Sequence, residues 1–254
     1  MGLEYIANIP CKVREQFSND DIVERIKARN IIEIIKEKAG DDFNEEMKIT
    51  WQKNVLDGEN QNTRVSIKEL SDMYKELEPL SIHCESCTAN RMSKEFGCVG
   101  FLGYPVSKHF EKALMDTLPD NLETTAGKLL KRAINELGYT GKIPAEMRKM
   151  NMFESPKPLK RKWGGFFSKF VVDSNMVFEM IFTLGDLNPE HCSLLCLFFG
   201  ILPYDIPKED YLNKDKVKDI LLNVDYSKFD ASLRHLFNAL ASAAIHNVRL
   251  LISY

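Results

Sequence analysis

Three of the six cysteines fall within one short stretch, HCESCTANRMSKEFGCVGFLGYP, from His83 to Pro105. Cys84, Cys87 and Cys98 are spaced C-x2-C-x10-C. Two residues between cysteines let the backbone turn so that both sulfurs face one point, as a tetrahedral ion requires. Gly97 and Gly100 bracket Cys98 in FGCVG, and Gly97 is expected to supply the positive φ that brings the third sulfur back. The pattern predicts a soft-metal site, with zinc as the ion and a structural role served through protein contacts. The stretch itself lacks a fourth ligand. Cys11, which follows Pro10 at the end of an N-terminal strand, is the expected one, ahead of His109, Cys192 and Cys196. It is expected to reach the knuckle by lying beside the segment that enters Ser81.

The same atoms admit other uses. Thiolates also hold iron–sulfur clusters, although the shorter spacing and trailing proline of the bacterial ferredoxin run are absent. Cys84 and Cys87 form a C-x-x-C pair before an expected helix Thr88–Glu95, and a helix N-terminus lowers thiol pKa for redox exchange. Buried cysteines also pack as small hydrophobes. Asn90 and Arg91 directly follow the pair and are candidates to hold its sulfurs or a backbone carbonyl.

Around this stretch the chain reads as scaffold. Its 254 residues make one large domain or two small ones. The apolar share of 44% and charged share of 28% are ordinary for a globular protein. A net charge of −3 and a pI near 6.0 give no general pull toward nucleic acid or anionic membrane. Six cysteines are too few for a disulfide scaffold in a chain of this size, so reduced thiols and a cytoplasmic location are expected. MGLEYI has Ile where a myristoylation signal needs Ser or Thr. The longest apolar run, Leu194 to Leu202, falls short of a membrane span.

The pattern predicts an α+β fold, predominantly α-helical, with short N-terminal strands, the cysteine knuckle and a helical C-terminal half. Strands are expected at Leu3–Val13 and Met47–Leu56, with DGENQNT (57–63) as a loop. Helical stripes run over Asp21–Lys38, Leu122–Leu137, Asp173–Leu184, Pro189–Leu202 and Lys228–Ser253. Ser66 and Glu69 make a capping box, and Asn188 followed by Pro189 makes a helix start. Asn19 or Asp20 is the expected cap of the first helix.

Residues 142–165 carry three prolines, many cations and little periodicity, which predicts a basic hinge between an N-terminal part (1–141) and a helical part (166–254), or a connection within one continuous domain. Another protein is the expected partner. Arg148, Lys149, Lys157, Lys160, Arg161 and Lys162, followed by Trp163, Phe166 and Phe167, are the residues that would serve nucleic acid through phosphate contacts and base stacking. The plainer expectation is a solvated loop. Cys192 and Cys196 share one face of an apolar helix and read as packing. No G-x-S-x-G, Walker loop, H-E-x-x-H or G-x-G-x-x-G is present, so no catalytic residue is assigned.

Overall fold

In the computed structural model, which describes residues 2–53, 61–92, 95–164, 170–183 and 185–253, the chain is α+β and predominantly helical. Strand β1 (Gly2–Ala7) leads into helix α1 (Asn19–Ala39). Ser18, rather than Asn19 or Asp20, caps α1 and forms a reciprocal box with Asp21. Strands β2 (Lys48–Lys53) and β3 (Gln61–Ser66) pair antiparallel, with Trp51 opposite Thr63. The expected loop at 57–63 therefore ends inside a strand, and its residues 57–60 lie outside the described residues, as do residues 54–56 of the expected strand. Helix α2 (Ile67–Lys75) starts at the Ser66–Glu69 box. Its Ile67 and Leu70 join Trp51 against Ala28 and Ile32 of α1.

Two short 3-10 turns, Glu78–Cys84 and Thr88–Arg91, then carry the chain through the first two knuckle cysteines. β4 (Val99–Gly103) follows and pairs antiparallel with β1. Opposite Gly100 in that register sits Tyr5, and a Cβ at residue 100 would meet the Tyr5 ring at 2.3 Å. Only glycine leaves room for the ring at this position.

Next come α3 (Lys108–Asp116), α4 (Thr125–Leu137), α5 (Lys142–Lys149), β5 (Lys160–Trp163), β6 (Phe170–Asp173) and α6 (Ser174–Phe182). The chain closes with α7 (Pro189–Phe198), α8 (Lys208–Leu212), α9 (Lys214–Leu222), α10 (Ala231–His246) and β7 (Leu250–Ser253). Helix α10 is apolar nearly all round, with Leu233, Leu236, Phe237 and Leu240 buried, as expected of a helix at the centre of a core. The helical pattern that suggested a helix to Ser253 stops at Asn247, which takes a left-handed conformation with φ 52°. The chain then pairs with β1 as a strand and completes the sheet β4-β1-β7. Helix α1 packs on the Ile6 and Val99 face of that sheet, and α10 on the Leu3, Tyr5 and Leu102 face.

Within residues 142–165 the structure holds α5 and β5, and one apolar cluster takes in residues from Leu3 to Ile252. Arg148 on α5 is buried and paired with Glu111 of α3. It also donates to Asn175 Oδ1 at 2.6 Å, Ser155 O at 2.7 Å and Ser174 Oγ at 3.0 Å. Among the described residues no helix is long and apolar enough to cross a membrane.

Candidate metal centre

Antiparallel pairing places the end of β1 beside the start of β4. Ala7 N–H donates to the Cys98 carbonyl at 2.9 Å, one residue before β4 begins. Cys11 follows shortly after β1, where Arg14 N–H closes a turn on the Cys11 carbonyl at 3.0 Å. The expected strand Leu3–Val13 thus ends at Ala7, and Cys11 stands past its end, where it packs in one apolar cluster with Cys98 and with Leu77 and Leu80 of the segment entering Ser81. From the other side, Cys84 ends one 3-10 turn and Cys87 N–H returns to the Cys84 carbonyl at 3.0 Å. That is the tight turn implied by the two-residue spacing.

Cys11, Cys84, Cys87 and Cys98 line one cavity of about 20 Å³, together with Arg14, His83, Asn90 and Phe96. This is room for about one water-sized sphere. All six cysteines are free thiols. Among the described residues, no group of three or more His, Cys, Asp or Glu side chains is arranged, as placed, to hold a metal ion.

The turn back to Cys98 is made by Phe96, whose φ is 49°, rather than by Gly97. Asn90 explains the difference. Its side chain donates to the Cys84 carbonyl and accepts from Gly97 N–H at 2.7 Å, which ties both ends of the knuckle to one amide. An asparagine spent on such local bonds competes with helix formation, and of the expected helix Thr88–Glu95 the described residues form only a 3-10 turn over Thr88–Arg91, residues 93–94 lying outside them. Among the described residues, only this short 3-10 turn follows Cys87, where a longer helix would be needed to lower a thiol pKa.

Burial pushes the Cys84 thiol up, opposed by hydrogen bonds from Phe96 N–H and Asn90. Burial pushes Cys98 up to about 11, opposed by the Arg14 guanidinium. Arg14 reaches Cys11 Sγ at 3.6 Å and Cys98 Sγ at 4.0 Å. It is held there by Ala7 O at 2.8 Å and Asn19 Oδ1 at 2.6 Å. Its positive charge stands where thiolates would form.

The knuckle is anchored to the C-terminal helices. Asn238 Nδ2 of α10 donates to Ala89 O at 2.7 Å and Gly97 O at 3.4 Å. Thr88 Oγ1 and His246 Nε2 share a hydrogen bond of 2.5 Å, and Arg91 donates to Leu221 O at 2.6 Å. Sequence reasoning missed Arg14 and Asn238. The lone asparagine in the apolar run LFNALASAA was the one available signal for the latter.

No family model, curated protein or solved structure matches the chain.

The other candidate ligands stand elsewhere. Cys192 and Cys196 are buried in α7 and do not line the cavity, and burial pushes the Cys192 thiol up to about 12. His109 pairs with Asp230 at 2.9 Å. Of the cations read as phosphate contacts, Arg148 is buried in its ion pair. Arg161 is turned to Met115 O at 2.9 Å and to the Asp120 carboxylate. Lys149 pairs with Glu146 at 2.7 Å, while Lys157, Lys160 and Lys162 are exposed. Trp163 is buried, its indole N–H on Pro119 O at 2.8 Å; Phe166 and Phe167 lie outside the described residues.

Proposed function

We propose that the chain is a metal-binding protein in which Cys11, Cys84, Cys87 and Cys98 hold one zinc ion as a structural cross-link, and that it acts through contacts with another protein in the cytoplasm. The observation carrying this reading is that four cysteines from three separate segments border one cavity of single-ion size. Zinc–sulfur bonds of about 2.3 Å would draw the thiols inward from their present positions by side-chain rotation. Arg14 would offset part of the negative charge of four thiolates, and Asn90 would fix the Cys84 carbonyl and Gly97 N–H around them. The cavity is too small for a multi-iron cluster without rearrangement, and the short turn after Cys87 lacks the helix a reactive C-x-x-C pair uses.

Cobalt(II) titration of the metal-stripped chain tests the ligand set. Tetrahedral thiolate coordination predicts intense visible and thiolate-to-metal bands that saturate at one equivalent, and weaken in both Cys11→Ser and Cys84→Ser. Octahedral cobalt, or bands unchanged in both variants, would refute the site.

A further inference from the structure

The sheet β4-β1-β7 has unequal edges. The outer side of β7 is bridged, Leu187 and Leu250 exchanging two hydrogen bonds of 2.9 Å. β4 has no such neighbour among the described residues. The bond from Ala7 N–H to Cys98 O sets the phase of the β1–β4 ladder, so Gly100 and Leu102 turn their backbone groups toward β1. Phe101, between them, turns its N–H and C=O outward. Among the described residues nothing bonds the Phe101 backbone on that side.

That edge opens into a groove of about 390 Å³. One wall comes from α1, with Ile26 and Arg29, and the opposite wall comes from Phe110, His235 and Leu236. The charges along it are compensated, since Arg29 is paired with Glu95 at 2.7 Å. Glu95 also accepts from the Tyr74 hydroxyl at 2.7 Å. An unpaired strand edge needs acceptors and donors at the spacing of another strand, about 4.8 Å away. The side chains of such a strand would alternate between the α1 wall and the α10 wall. A charged side chain in either place would lose water and, among the described residues lining the groove, find no opposite charge free.

We propose that this groove binds an extended, uncharged peptide segment of another protein, with alternating apolar residues, which adds to β4 as a fourth strand. Hydrogen-bond complementarity at Phe101 sets the backbone direction of recognition, and charge complementarity with the neutral walls sets the side-chain class. The proposal rests on the sheet edge alone and holds whether or not the knuckle carries a metal.

The test pans a phage-displayed library of random heptapeptides against the folded full-length chain, then titrates the enriched peptides as soluble molecules. Enriched sequences should be uncharged and alternating, and saturation should slow exchange of the Phe101 amide about ten-fold or more. Phe101→Pro removes the outward N–H without touching the β1 ladder, as edge strands permit. His235→Trp fills the groove from an exposed position. Each should weaken binding about ten-fold or more. If Phe101→Pro fails to fold, His235→Trp decides. The proposal is overturned if no peptide is enriched, if binding leaves Phe101 exchange unchanged, or if a folded variant binds as wild type does. Self-association that disappears in Phe101→Pro would also overturn it, because a second copy would then own the edge. Peptide binding by a chain that purifies without metal would uphold this groove and count only against the zinc site.

Discussion

Asn238, buried on α10, donates its side-chain amide to the Ala89 carbonyl at 2.7 Å, across 149 residues of sequence. The same nitrogen reaches the Gly97 carbonyl at 3.4 Å, so one residue of the C-terminal core holds both arms of the cysteine knuckle. Asn238→Ala should lower stability by about 1–3 kcal/mol, since it leaves buried carbonyls without a donor. Chemical denaturation measures this, and a loss below about 0.5 kcal/mol would show that the anchor is idle.

The Glu111–Arg148 pair is buried on both sides and bonded further to Ser174 and Asn175. Breaking such a pair from one side strands a charge. Arg148→Met should therefore cost about 3–5 kcal/mol in urea unfolding, whereas the double change Glu111→Leu with Arg148→Met should cost much less. Equal losses in the two variants would contradict this account of the cluster.

Burial holds the half-buried His191 below the ordinary imidazole value. The unfolded chain, with this imidazole near ~6.5, then binds more protons than the folded one. Stability is full above that value and falls as pH drops through it toward the depressed folded value. Denaturation midpoints at neutral and mildly acidic pH should show the fall, and His191→Gln should make it smaller. A midpoint that rises on acidification would have the wrong sign.

Much of the scaffold was legible because its signals are local. The Ser66–Glu69 box and the Asn188–Pro189 start form as read, since each depends on residues a turn apart. β7 was not legible. Leu250–Ser253 continues a helical apolar face, and only its pairing with β1, at the far end of the chain, makes it a strand. The candidate site divides in the same way. The spacing of Cys84, Cys87 and Cys98 identified the knuckle, and strand placement suggested Cys11. Arg14 and Asn238 act through long-range contacts that leave little trace in spacing.

Cys84→Ser should release the metal and lower stability together, by at least ~3 kcal/mol and by less than the ~10–16 kcal/mol seen in finger peptides that fold on zinc alone. The large apolar cluster around α10 supplies the remainder here. Parallel unfolding of wild type, metal-stripped wild type and the variant reads this directly. Three equal midpoints would remove the structural role.

Elemental analysis of freshly purified chain, read beside its absorption spectrum, tests the central claim most directly. The account predicts about one zinc per chain in a colourless protein, with zinc lost in both Cys84→Ser and Cys11→Ser. A brown protein containing iron, or a stable chain with no bound metal, would contradict it.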